Sequence, residues 1–171
     1  MAIMTVTTLL SNAELFADLD PAAVQELATH TREHTLRRGD VIFAESDDPG
    51  ELFLVASGRI AIANKSIDGR ESVVALMETG DLFGEMGLFD GLGRSAEARA
   101  LEASVVVSIP YAPIQSLYES RPELLWRVIA MLSRRLRAMD EALADSFFLD
   151  VTGRTAKHLL ELAGDRDEFE I

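Results

Sequence analysis

From Gly80 to Glu97 the chain reads Gly-Asp-Leu-Phe-Gly-Glu-Met-Gly-Leu-Phe-Asp-Gly-Leu-Gly-Arg-Ser-Ala-Glu, an island unlike the apolar runs on either side of it. Four glycines, at 84, 87, 91 and 93, crowd the eleven residues 84 to 94, so the backbone there must come close to something. A short helical turn over Glu85–Leu88, opened by Gly84, aims N–H groups with no intrahelical acceptor outward, which suits an anion. Arg94 can add two parallel hydrogen bonds to a phosphate and Ser95 a hydroxyl donor. Glu85 is a poor neighbour for a bare phosphate but the right acceptor for a sugar hydroxyl beside it. A phosphorylated sugar fits these groups, and Gly84, Glu85, Met86, Arg94, Ser95 and Ala96 form the candidate ligand-binding set. Neither Arg94 nor Glu85 is an expected packing residue, so both argue for a ligand.

The elements that must position this island are short. Asp20-Pro21 offers a helix cap with Pro at the first helical position, and Val24 and Leu27 carry a helical face to about Thr29. From Thr31 to Pro110 the pattern turns to strands: Val41-Ile42-Phe43, Leu52-Phe53-Leu54-Val55, Ile60-Ala61-Ile62, Val73-Val74-Ala75-Leu76 and Val105-Val106-Val107. Turn residues separate them at Arg38-Gly39-Asp40, Asp48-Pro49-Gly50, Ser57-Gly58 and Asp68-Gly69, the last being the best hairpin candidate. Eight or so strands without crossover helices predict a mainly β fold with helices, a small antiparallel barrel or jelly roll with its pocket inside.

After Pro122 the period becomes helical. Leu125, Ile129, Leu132, Leu136, Met139, Leu143 and Phe147 recur at nearly heptad spacing. Such a stripe lies either on its own barrel or on a symmetric copy, and a long helix at the end of a small barrel favours the copy: a homodimer is expected. Asp150 or Thr152 can cap a further helix with Ala156, Leu159, Leu160 and Ala163 on one face, ended by Gly164. That face needs a neighbour which the sequence does not contain, so the chain reads as cut short. The expected division is 1–121 for N-terminal helices and barrel, 122–148 for the long helix, and 149–171 for a hinge and the start of another domain.

The segment Phe83 to Ala96 resembles the phosphate-binding cassette of cyclic nucleotide-binding domains. From about Leu10 to Ala163 the chain resembles the sensor half of bacterial transcription regulators of the cAMP receptor protein and Fnr family. Arg38-Gly39-Asp40-Val41-Ile42-Phe43, Pro49-Gly50-Glu51-Leu52-Phe53, Ser57-Gly58-Arg59-Ile60 and Phe148-Leu149-Asp150-Val151-Thr152-Gly153-Arg154 carry the likeness outside the cassette. The resemblance implies a cupin-like double-stranded β-helix followed by a dimerisation helix. It implies that Glu85 takes the ribose 2′-hydroxyl while Arg94 and Ser95 hold the cyclic phosphate. The family's long helix lends two polar side chains to the purine; here those positions are Met139 and Asp140, a departure from the threonine and serine or asparagine of cAMP-responsive members. Asp140, acceptor-only when ionised, suits adenine's amino group or, more fully, guanine's N1–H and 2-amino group. The implied effector is therefore cAMP, with cGMP or another effector as alternatives, or a dimeric interaction module that has lost its nucleotide. DNA is implied as a partner only through a helix-turn-helix domain, of which Val151 to Ala163 would be the beginning.

Composition narrows the classes further. The 171 residues hold 48% hydrophobic and 26% charged residues, a globular balance. There is no cysteine, which removes disulfides, thiolate metal sites and cysteine nucleophiles. A net charge of −13, from 29 acidic and 16 basic residues, repels a polyanion. No apolar run reaches the ~20 residues of a membrane span, and residues 1–30 carry no Lys or Arg for a signal peptide, so a cytoplasmic protein is expected. Gly91-Leu92-Gly93-Arg94-Ser95-Ala96 matches a dinucleotide fingerprint formally but precedes a strand rather than a helix. His30 and His34 stand at helical ligand spacing, yet Thr31 occupies the place where a zinc protease needs Glu, and His158 is remote in sequence, so no metal is expected. No catalytic constellation is recognisable, and enzymatic activity is not expected. The basic residues Arg121, Arg127, Arg134, Arg135 and Arg137 read as flanks of the helical seam.

Overall fold

Local signals at the N-terminus resolve as capped helices. The computed structural model describes residues 5–65, 68, 70–148, 150, 152, 153, 155–157 and 160. Thr5 caps α1 (Val6–Asn12) through the Thr8 N–H at 3.3 Å. Asp20 caps α2 (Pro21–Thr29) through the Ala23 N–H at 2.9 Å. A 3-10 turn, Glu14–Phe16, lies between them, and Leu9, Leu10, Leu15, Phe16, Val24 and Leu27 are buried. The Ala23 N–H first, and then the guanidinium of Arg121, hold the Asp20 carboxyl below the usual carboxylate range.

Eight strands follow among the described residues: β1 (Arg32–Leu36), β2 (Val41–Phe43), β3 (Glu51–Ser57), β4 (Ile60–Lys65), β5 (Glu71–Met77), β6 (Leu82–Phe83), β7 (Glu97–Ala100) and β8 (Ser104–Pro110). They form two four-stranded sheets, ordered β1-β8-β3-β6 and β2-β7-β4-β5, with every pairing antiparallel. This is the jelly roll that strand count and spacing predict. Phe53, Val55 and Phe83 of one sheet meet Ile60, Ala98 and Ala100 of the other in a common core, with Phe43 and Ile42 packed against it. Alternation within β7 explains the choice: Ala98 and Ala100 turn into the core, while Arg99 pairs with Glu97 and Glu71. The β4–β5 hairpin closes at Lys65 opposite Glu71; Gly69 of its expected turn lies outside the described residues.

Helix α1, strand β1 and the helix that follows β8 are absent from the sequence reading. Tyr111–Ser120 forms a helix, α4, burying Tyr111, Ile114 and Tyr118. Pro113 falls in its first turn, where a missing N–H costs nothing. A second short helix, α3 (Met86–Asp90), sits between β6 and β7 with Glu85 at its cap position. A 3-10 turn, Pro122–Leu124, leads to α5 (Leu125–Phe148). The chain divides into two units, Met1–Arg127 and Val128–Ile171. In the second, Asp150 Oδ1 accepts the Gly153 N–H at 2.8 Å, as an N-cap there requires; Leu159, Ala163 and Gly164 lie outside the described residues.

The β3–β4 turn gives a direct test. Gly58 has φ +83°, and a Cβ there would stand 2.7 Å from Ser104 Cβ and 2.8 Å from Ala103 O. Gly39 has φ +90° with open space around it. Gly58→Ala is expected to lower the unfolding free energy by about 2–4 kcal/mol, and Gly39→Ala by only about 1 kcal/mol, in urea melts.

Candidate functional site

The island of glycines folds as a loop-helix-loop clamped onto its own barrel. β6 pairs with β3 through Phe53 and Phe83. The chain then turns at Gly84, whose φ of +76° suits glycine. It runs through α3 and leaves it at Gly91, a left-handed C-cap. Asp90 Oδ1 holds the Leu92 N–H at 2.9 Å. The Arg94 main chain is fixed to the 44–48 loop, with its N–H on Asp47 O at 2.9 Å and its carbonyl on the Ser46 N–H at 2.8 Å.

The close approaches that the glycines permit are internal. A Cβ at Gly87 would stand 2.6 Å from Pro49 Cγ, and one at Gly93 3.1 Å from Ser46 O. At Gly84 it would meet Arg94 Nη1 at 2.8 Å. Gly91 has open space, and its need is the positive φ alone.

Arg94 is buried, with 8% of its surface exposed. Its guanidinium lies over the Phe43 ring, 4.2 Å from the centroid, with Phe53 beyond at 5.7 Å. Nη1 donates to Gly84 O at 2.7 Å and to the Tyr111 hydroxyl at 3.2 Å, and Nη2 donates to Glu51 O at 2.7 Å. The Tyr111 hydroxyl in turn donates to Gly84 O. The expectation that Arg94 does no packing work is therefore corrected: it ties β3, the cassette and α4 together. Its Nε, also buried, has no hydrogen-bond partner among the described residues.

The remaining members of the predicted set divide by exposure. Glu85 is buried at 2% and shares the Gly84 turn, likewise against the reading that packing has no use for it. Ser95 is exposed and its hydroxyl meets Met86 Sδ at 3.5 Å, a weak contact that leaves the oxygen able to turn. Ala96 is buried ahead of β7. Gly84 meets Arg94, and Met86 meets Ser95, as one cluster. Met139 and Asp140 lie on α5 in the second unit, both exposed. All seven residues of the helical stripe, Leu125 to Phe147, are exposed, Leu136 by 59% and Phe147 by 78%.

Sequence reading missed Tyr111. Its signal was the Tyr111, Ile114, Tyr118 spacing of a buried helical face beside two prolines. Burial pushes the Tyr111 phenol up from its ordinary value, partly offset by the charge and hydrogen bond of Arg94, so it stays protonated at neutral pH.

Comparison with known proteins decides the family. The model of the cyclic nucleotide-binding domain matches residues 33–121. A CRP-like cAMP-activated global transcriptional regulator of Mycobacterium tuberculosis is 34% identical over 155 residues, covering 91% of this chain and 69% of that protein. This chain belongs to the Crp/Fnr family of cyclic nucleotide-binding domains. The catabolite activator protein of Thermus thermophilus superposes with a TM-score of 0.68 at 32% identity, covering 77% of this chain and 62% of that one. The c-di-GMP responsive regulator CLP of Xanthomonas campestris superposes with a TM-score of 0.71 at 26% identity, covering 88% and 76%. The Mycobacterium tuberculosis relative is a transcriptional regulator and CLP a global regulator. Among the described residues no helix is long and apolar enough to cross a membrane.

The structural part of Arg94 is testable without any ligand. Arg94→Leu leaves the carbonyls of Glu51 and Gly84 short of a buried donor, and is expected to lower unfolding free energy by about 1–3 kcal/mol in urea melts of the unliganded protein. Equal midpoints and slopes for the two proteins would contradict the tie.

Proposed function

We propose that this chain is the effector-sensing part of a cytoplasmic transcription regulator, and that its cassette captures a cyclic mononucleotide, cAMP first among them. The buried Arg94 Nε, a charged donor with no partner among the described residues, carries the reading. An orphaned donor of this kind costs free energy that an anionic oxygen recovers. Ser95 stands next in sequence with an exposed hydroxyl, and Glu85 lies at the head of α3, where a ribose hydroxyl beside the phosphate would need an acceptor. The cAMP-activated relative from Mycobacterium tuberculosis supports the choice of effector.

Asp140 favours a second effector. An exposed carboxylate at this helix position accepts from guanine at two donors and from adenine at one, so cGMP competes with cAMP in this reading. The c-di-GMP responsive neighbour supports adding cyclic dinucleotides to the comparison.

A thermal-shift panel of cAMP, cGMP and c-di-GMP separates these outcomes. Effector at a hundred times its Kd adds ~2.7 kcal/mol of stability, a rise of about 5–10 °C in Tm for a chain of this size. Arg94→Leu is expected to abolish that rise. No shift with any of the three favours an interaction module that keeps the fold and has lost the nucleotide. By calorimetry, cAMP binding a hundredfold tighter than cGMP would remove the role given to Asp140.

The reading also includes a homodimer through α5, because the stripe from Leu125 to Phe147 is apolar, near-heptad and exposed. DNA contact is assigned to a helix-turn-helix domain of which Val151 to Ala163 would be only the beginning. Light scattering is expected to give twice the chain mass, and Leu136→Glu, which puts a charge in the seam, the mass of one chain. A wild-type monomer at tens of micromolar would refute the pairing.

A further inference from the structure

A guanidinium has five N–H bonds in one plane, and which of them a ligand receives depends on what holds the others. In Arg94, Nη1 gives both of its own to Gly84 O and Tyr111, and Nη2 gives one to Glu51 O. Nε, on the edge that it shares with Nη2, has no partner among the described residues. Tyr111 is itself pinned at two points. Its N–H donates to Gly50 O at 2.9 Å, next to the Glu51 carbonyl that holds Nη2, and its hydroxyl donates to Gly84 O. The start of α4 therefore braces both main-chain segments whose carbonyls hold Arg94.

We infer that Tyr111 is a positioning residue for ligand capture: its hydroxyl, bridging Gly84 O and Arg94 Nη1, fixes the guanidinium so that the Nε–Nη2 edge is the one presented to the ligand's anionic oxygen. The inference rests on the cyclic nucleotide reading. Phe43 restricts tilt of the guanidinium plane, but a flat ring face leaves rotation within that plane open. Tyr111 closes that freedom. Without the hydroxyl, Nη1 keeps one acceptor instead of two, and the Nε–Nη2 edge is held less firmly in line with the ligand. The phenol, kept protonated by burial, can donate to Gly84 O and accept from Nη1 at once.

The test compares wild type, Tyr111→Phe and Tyr118→Phe. Tyr118 lies seven residues along the same face of α4, and its hydroxyl reaches Leu15 O at 3.4 Å, so its variant reports on loosening of the helix alone. By calorimetry with cAMP, Tyr111→Phe is expected to raise Kd about fivefold to tenfold, the worth of one ordinary hydrogen bond, and Tyr118→Phe to leave it unchanged. Nitrogen-15 spectra of the arginine side chains add a reading that a structural role does not move. The Arg94 Nε–H signal, assigned by its absence from Arg94→Lys, is expected to be protected from solvent exchange in wild type saturated with cAMP and less so in saturated Tyr111→Phe. Equal Kd values and equal protection in wild type and Tyr111→Phe overturn the role of Tyr111, as does an equal loss of affinity in Tyr118→Phe. Wild type that binds neither cAMP nor cGMP overturns the nucleotide reading itself, and with it this inference.

Discussion

A single buried cation organises the cassette. Moving an ionised side chain out of water costs several kcal/mol unless its donors are met, and the guanidinium of Arg94 has three partners among the described residues, all neutral: two main-chain carbonyls and a phenol. Dipoles solvate the charge without cancelling it. The same geometry explains why the carbonyls of Gly84 and Glu51 can be spent here. They sit at the ends of β6 and β3, where the sheet ladder stops and main-chain groups need other partners. Arg94 is therefore the donor that completes the main chain and, in the proposed reading, also the charge that an anion seeks. This dual use removes an argument that the sequence invites, namely that an arginine in such a loop is there for the ligand alone.

Several residues have types that follow from that tie. Gly84 must lack a Cβ because Nη1 occupies the space, and its φ of +76° turns the carbonyl toward the guanidinium. Gly87 must lack one because Pro49 lies over α3. Phe43 and Phe53 supply aromatic faces at 4.2 and 5.7 Å where a carboxylate would neutralise the charge. Helix α3 is then supported from the far side by α4, where Phe89 meets the Tyr118 ring at a centroid distance of 6.2 Å. The two tyrosines of α4 thus touch the cassette at both ends, Tyr111 at its opening turn and Tyr118 at its helix.

Most of the barrel could be read from the chain because its strands advertise themselves. Val41–Phe43, Leu52–Val55, Ile60–Ile62 and Val105–Val107 are β-branched or aromatic runs between glycine turns, and each lies within a strand. Strand β1, Arg-Glu-His-Thr-Leu, has no such run; tertiary pairing with β8 makes it a strand. Helix α4 was hidden by Pro110 and Pro113, which suggest a loop until the first-turn position of Pro113 is known. The cassette residues were legible as a set because glycine, arginine and serine at that spacing have few common uses. Their contacts were not. Nothing local in Gly50, Glu51 or Tyr111 says that they meet residue 94, because that contact depends on the pairing of β3 with β6 and of Glu51 with Pro110 at the end of β8. Side-chain type is written in the sequence; which N–H of an arginine remains unspent is a property of the folded main chain.

Charge at long and short range pull in opposite directions, and this sorts the anions such a protein can hold. A net charge of −13 sets up a field that resists phosphate of any kind at distances beyond the Debye length of about 8 Å only weakly, and at closer range more strongly. A polyanion must bring many phosphates to that surface at once, and each adds to the cost. A single cyclic phosphate brings one. Inside the barrel, water no longer screens the guanidinium, so one Nε–H and its neighbour on Nη2 act at full strength over hydrogen-bond distance. In the proposed reading the acidic surface and the buried arginine are thus complementary: the first disfavours extended nucleic acid on this chain, and the second makes an exception for a ligand small enough to leave that surface behind.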